Sequence, residues 1–248
     1  MIRAVTFDWW DTIAESHAYD PVQGDLRSWE AFAKQARCEG VAAVLGAHGL
    51  TATDLGTAYD AWVAGLQETW RTNADLSAHE QLLALLDAAG LSDAATPQLL
   101  QDLEDPIGAP LVLKPPRIHP GFGEVARELR RRGVRIGLVS NTGRTWGRFL
   151  RRIQESAGIL DVFDATVFSD EVRWRKPAPE IFTAALSALR VRPEETVHVG
   201  DDAEADVRGA QALGMRAVHC DHAGKGDCTF ADARIHGFRE LLGVLARW

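Results

Sequence analysis

The chain has 248 residues, of which 46% are hydrophobic and 25% charged, with a formal net charge of −8. That suits one domain with a large insertion, or two small ones, around a real apolar core. The acidic balance excludes a general nucleic-acid binder, which carries a basic face. No apolar run is long enough for a membrane span. The three cysteines, Cys38, Cys220 and Cys228, make no disulfide framework, and because the first residues read as a strand no secretory leader is expected. A cytoplasmic protein is expected.

In chain order, Ala4-Val5-Thr6-Phe7 is a short run rich in β-branched and aromatic residues and reads as a core strand of a parallel sheet. It ends in Asp8, followed by Trp9-Trp10-Asp11-Thr12. Residues from about 14 to 115 read as helical. Leu26, Trp29 and Ala33 recur at helical spacing, as do Tyr59, Trp62, Val63, Leu66 and Trp70, which are expected to fill a helix-bundle core. Ser77 and Glu80 form a capping box, and Thr96-Pro97 reads as a cap and first helical residue. Lys114-Pro115-Pro116 and His119-Pro120-Gly121 read as a return linker.

The remainder alternates helix and strand. Strands are expected over 134–140, 165–169, 196–200 and 215–220, with helices around Val125 and Leu129, from Pro179 to Leu189, and from Ala205 to a stop at Gly214. Such alternation implies an α/β fold with a parallel sheet covered by helices.

The ends of these strands carry the chemistry. A carboxylate at the end of a buried strand is unfavourable unless it is paired, metal-bound or reactive, and ligands of parallel sheets sit beyond the carboxyl ends. Asp8, Ser140-Asn141 and Gly200-Asp201-Asp202 all fall there, with Asp206 a turn later and Lys176 just before a helix start. Clustered carboxylates repel unless a cation joins them. An oxygen-only donor set with open positions suits Mg²⁺ and a phosphate-bearing substrate. A lysine and a hydroxyl beside that ion would neutralise phosphate oxygens, leaving Asp8 as a nucleophile.

These four segments, in order and spacing, resemble the haloacid dehalogenase superfamily. The resemblance covers the whole chain. It implies a Rossmann-like α/β core of residues 1–13 and 116–248, with a C1-type helical cap of residues 14–115 inserted after the first motif. It further implies that Asp8 is the nucleophile, that Ser140 binds the transferred group, and that Lys176 steadies that group and the nucleophile. Mg²⁺ would be held by Asp8, Asp201 and the backbone carbonyl of Trp10, with Asp206 or Asp202 supporting the metal waters or Lys176. Asn141, Trp10 and Arg144 would lie beside a small, phosphorylated substrate. The plainer role for Arg144 is a solvated or capping arginine, and for Asn141 the start of the next helix.

The chain departs from the family at one place. Its phosphatases read Asp-x-Asp-x-Thr, and here the residue two after Asp8 is Trp10. Thr12 keeps the frame, and Asp11 stands where glycine is common. The missing aspartate protonates the leaving group and then activates water, help worth roughly 10²–10⁴-fold. Four readings stay open: a Mg²⁺-dependent phosphatase or phosphoryl-transfer enzyme, a metal-independent 2-haloacid dehalogenase, a phosphonatase-like enzyme needing a cap lysine such as Lys34, and a non-catalytic binding protein.

Two further clusters are discounted. His219-Cys220-Asp221-His222 with Cys228 lacks the paired short loops of structural zinc sites, and alternate strand residues face opposite ways. Arg130-Arg131-Arg132 ends a helix, where basic residues suit the dipole.

Overall fold

A computed structural model describes residues 1–15, 26–224, 226 and 228–248, and the backbone alone at 26–29. The expected roles of the Leu26 and Trp29 side chains therefore lie outside the described residues.

Six strands form one sheet: β1 (Ala4–Phe7), β2 (Arg135–Ser140), β3 (Ala165–Phe168), β4 (Thr196–Gly200), β5 (Arg216–Cys220) and β6 (Ala233–Ile235). Their order is β3-β2-β1-β4-β5-β6, and every neighbouring pair is parallel. β1 and β4 are buried along their whole length, as their apolar sequences require in a sheet covered on both faces. Three expected strands are each one residue shorter than their sequence reading. β6 has no counterpart among the expected strands, because its three residues at the sheet edge are too few for a periodic signal.

The chain leaves β1 towards β2 and β3 on one side, then returns to β4, β5 and β6 on the other. β1 thus lies at the point where strand order reverses, where such sheets place ligands. Phe7 is level with Leu138 and Val199, so the residues that follow β1, β2 and β4 emerge at one edge.

Alternation splits each strand between two cores. Val5, Phe7, Leu138 and Val199 pack with Phe122 and Phe238 on one face. Val139 and Ala217 pack with Ile181 and Phe182 on the other. The covering helices are numbered in chain order after five in the inserted segment: α6 (Phe122–Arg131), α7 (Gly147–Ser156), α8 (Ser169–Val172), α9 (Pro179–Leu189), α10 (Gly209–Ala212) and α11 (Phe238–Leu245). The helix expected from Ala205 instead begins as a wide π turn over Ala203–Arg208 before α10. Asp202 starts it early by accepting hydrogen bonds from the Glu204 and Ala205 amides.

The segment between β1 and α6 is helical as expected: α1 (Leu26–Ala47), α2 (Leu55–Trp70), α3 (Ala78–Ala88), α4 (Pro97–Gly108) and α5 (Pro110–Leu113). Ser77 and Glu80 cap α3 reciprocally, and Thr96 caps α4 ahead of Pro97. Tyr59, Trp62 and Leu66 lie in a separate apolar core with Leu82, Leu99 and Leu103. Trp146 and Phe149, from the start of α7, reach into that core, and the Trp146 indole N–H donates to Gln81 at 3.0 Å.

The outgoing and returning connections of this segment are zipped together. Ala14 and Ile118 form an antiparallel bridge. Glu15 N–H donates to Arg117 O and His119 N–H to Ile13 O, at 2.9 and 2.8 Å. Gly121 then turns the chain into α6 with φ +88°, a left-handed conformation natural to glycine.

The contact between helical segment and sheet layer is close at Gly108, where an added Cβ would lie 2.0 Å from the Phe149 ring. Gly108→Ala is expected to lower stability by about 1–3 kcal/mol through overpacking, measured as a shift of the urea midpoint at unchanged slope.

Candidate active site

Asp8 follows β1 directly, and its amide donates to Val199 O at 2.9 Å. Two residues earlier on the same face, Thr6 lies beside His198 of β4. Beyond β4, Asp206 reaches back from the π turn. An added Cβ on Gly200 would lie 2.2 Å from the Asp206 carboxyl carbon, so glycine is what admits that carboxylate. Lys176 enters from the loop between α8 and α9. Its ammonium donates to Asp8 and to Asp206, the latter at 2.5 Å. All three groups are out of water, with Asp8 6%, Lys176 4% and Asp206 1% exposed.

Asp206 is committed to holding the lysine. Its Oδ1 also accepts from His198 Nε2 at 3.0 Å and its Oδ2 from the Asp202 amide at 3.0 Å. With Nε2–H donating to that carboxylate, Nδ1 is left as an acceptor for the Thr6 hydroxyl at 2.9 Å. Burial opposes the Asp206 charge, but Lys176 and His198 outweigh it and hold the carboxyl below its usual range. Burial likewise opposes the Lys176 charge, and Asp206 and Asp8 together raise the amine above its ordinary value.

The other two acids are not compensated in this way. Burial, helped by repulsion from Asp206, pushes Asp8 up to about 7 despite Lys176. Burial and repulsion from Asp8 and Asp206 push Asp201 up to about 8. Asp201 accepts from the Thr12 hydroxyl at 3.3 Å. Oxygens of Asp8, Asp201 and Asp206 come within 4.8 Å of one another, the one group of potential metal ligands found among the described residues. An all-carboxylate set, two members of which resist ionising together, fits a hard divalent cation.

The remaining sequence candidates fall as follows. Ser140 is fully buried at the end of β2. Asn141 does not start a helix: its Oδ1 accepts from Lys176 N–H at 2.7 Å and its amide donates to Lys176 O at 3.0 Å, so both its polar atoms bracket the lysine's backbone. Asp202 is exposed and caps the π turn, apart from the carboxylate group. Arg144 is neither capping nor fully solvated, since its Nε is buried and has no hydrogen-bond partner among the described residues. Trp10 is half-buried, bridging to Ala14 with its ring edge-on to Trp9. Asp11 has φ +52°, which explains why glycine suits that position.

In the discounted histidine and cysteine cluster, Cys220 Sγ lies 3.3 Å from His222 Nε2, and the histidines are engaged with backbone. His219 Nε2 donates to Asp201 O and His222 Nε2 to Thr12 O, while Arg131 and Arg132 bond to Glu128. The sequence reading missed His198, although a histidine inside the buried run Val197-His198-Val199 was a visible signal. It also assigned Thr12 no contact.

The fold and this arrangement of acids and lysine define a hydrolase class, and the comparisons agree. The profile of haloacid dehalogenase-like hydrolases matches residues 2–214, and the chain belongs to that family. It is 32% identical over 181 residues to haloacid dehalogenase-like hydrolase domain-containing protein 3 of Bos taurus, covering 69% of each chain. It is 34% identical over 141 residues to the glyceraldehyde 3-phosphate phosphatase of Methanopyrus kandleri, covering 54% of this chain and 57% of that one. It thus spans little more than half the length of that phosphatase. Among solved structures it resembles the 2-haloacid dehalogenase of Pseudomonas syringae, with TM-score 0.68, 25% identity and full coverage of both chains. No helix among the described residues is long and apolar enough to cross a membrane.

The raised Asp8 and Asp201 carboxyls set a pH dependence. Between their unfolded values near 4 and their folded values of about 7 and 8, the folded protein binds more protons than the unfolded chain. Stability without divalent cation should therefore fall as pH rises from 5 to 8. Asp201→Asn removes one buried charge, so its melting temperature should exceed the parent's by more at pH 8 than at pH 5, as read by calorimetry in EDTA.

Proposed function

We propose that this chain is a Mg²⁺-dependent hydrolase of small phosphorylated molecules, with Asp8 as nucleophile and the helical segment, residues 14–115, as a C1-type cap over the core of residues 1–13 and 116–248. The observation that carries the reading is Lys176, buried between Asp8 and Asp206 with Asp201 alongside. Phosphatase relatives support the substrate class.

Asp8, Asp201 and the Trp10 carbonyl would hold the cation, which supplies charge neutralisation for the phosphoryl oxygens and the two carboxylates. Lys176 holds Asp8 in place and offsets part of the burial that raises its carboxyl, and Ser140 and Lys176 would face the transferred group. An Asp8 oxygen attacks phosphorus as the ester P–O bond breaks, and the leaving oxygen departs with the bonding pair. Water then cleaves the aspartyl phosphate, restoring Asp8 and releasing phosphate. Trp10 has no proton to give the leaving oxygen, so aryl phosphates and acid anhydrides, whose leaving groups need none, are the favoured substrates.

A second reading has a specific observation behind it. Trp10 and the likeness to the Pseudomonas syringae enzyme both suit metal-free displacement of halide from a 2-haloacid, with Asp8 attacking carbon instead of phosphorus. The phosphonatase reading has less support: Lys34 is tied to Asp60 at 2.6 Å, and Lys114 lies over the Phe32 ring.

Hydrolysis of an aryl phosphate should require Mg²⁺, vanish in EDTA and vanish in Asp8→Asn. Halide release from 2-chloropropionate in EDTA, with no phosphate release in Mg²⁺, would transfer the assignment to the second reading. Trp10→Asp should raise turnover of alkyl phosphates, by roughly 10²-fold or more where leaving-group protonation limits the rate, while leaving aryl phosphates little changed.

A further inference from the structure

The helical segment touches the sheet layer at a point far from its own connections. Residues 73–75, between α2 and α3, run antiparallel to residues 173–175, just ahead of Lys176. Ala74 bridges Trp174, Arg175 N–H donates to Asn73 O at 2.8 Å, and Asp75 N–H donates to Arg173 O at 3.0 Å. Asp75 is the centre of this junction. Its carboxylate is fully buried and accepts from Trp70 Nε1 at 2.9 Å, Leu76 N–H at 2.8 Å, Ser169 Oγ at 2.6 Å and Arg175 Nη1 at 2.7 Å.

Arg175 and Ser169 lead on to the site. Arg175 precedes Lys176, stacks on Trp70 at 4.3 Å and donates to Thr142 O. Ser169 takes the Thr142 amide at 2.8 Å, and Thr142 follows Ser140-Asn141, whose asparagine brackets Lys176. An unpaired buried carboxylate would be strongly unfavourable, so the four donors converge on Asp75 and cannot move independently of it.

We propose that Asp75, delivered by the inserted helices, is a positioning residue for Lys176: it ties the Lys176 loop and the loop after β2 into one rigid unit. The segment is then a part of the catalytic frame and not only a cover above it. The proposal rests on Lys176 acting in the site as described above.

The test joins hydrogen exchange of the full-length protein to kinetics on an aryl phosphate with Mg²⁺. Asp75→Ala should accelerate exchange of the Arg175 and Lys176 amides at least tenfold while β4 and α9 keep parental rates. It should lower kcat by roughly 10–100-fold, the scale of a displaced catalytic group, with KM changed less than about threefold. Asp75→Asn, whose single amide oxygen can serve Trp70 and Leu76 while an NH2 group replaces the oxygen facing Ser169 and Arg175, should lie between. Arg175→Met should loosen the same amides from the other side, and it decides the matter if Asp75→Ala fails to fold. Unchanged exchange at 175 and 176, a uniform rise across the chain, or loosened amides with parental kcat would overturn the proposal. A parent inactive on all phosphate esters would instead remove the phosphatase reading, leaving the exchange rates to decide whether the tie exists.

Discussion

One buried ammonium, that of Lys176, organises this protein. Taken out of water, it is tolerable only because two carboxylates meet it and further hydrogen bonds complete their shells. Asp206 can meet it because Gly200 has no side chain and because His198 and the Asp202 amide occupy its other lone pairs. Asp8 can meet it because β1 and β4 end level with one another. Asn141 grips the lysine's backbone from a third strand. Strand register, a glycine, a histidine and an amide side chain all serve the placement of a single nitrogen.

That arrangement divides the acids into two kinds. Asp206, its carboxyl held below the usual range by Lys176 and His198, is a counterion whose oxygens are spoken for. Asp8 and Asp201 keep free oxygen valence, and their carboxyls are driven upward by burial and mutual repulsion. Such a pair is unfavourable alone and favourable around a cation, the usual physical condition of a metal-assisted site. On the proposed reading Trp10 would lend this balance only its main-chain carbonyl, and what its side chain lacks is a proton donor for the leaving group.

Much of this was legible in the sequence because the informative residues sit at predictable places. The strand β1 and the acids after β1 and β4 announce themselves as apolar runs broken by carboxylates, and the caps at Ser77 and Thr96 fix two of the inserted helices. Other features were silent for physical reasons. β6 is too short to show a period. Asp202 and Asp206 look alike in sequence, yet one faces solvent as a cap and the other is sealed under Lys176, a difference set by the π turn. That the Asn141 amide brackets the Lys176 backbone has no local signal, since the two residues stand far apart in sequence. The junction around Asp75 joins residues about a hundred positions apart, which no local pattern can reveal.

The zipped connection at Ala14 and Ile118 has a consequence for how such a chain diversifies. Because the helical segment leaves and rejoins the sheet layer as two hydrogen-bonded neighbours, its ends already stand where a tight hairpin would put them. Closing that gap is nearly independent of how many residues lie between. A longer, shorter or wholly different segment can therefore be spliced in without disturbing strand register. Recombination can trade this part of the molecule as a cassette, provided the incoming piece supplies its own clasp for the lysine loop.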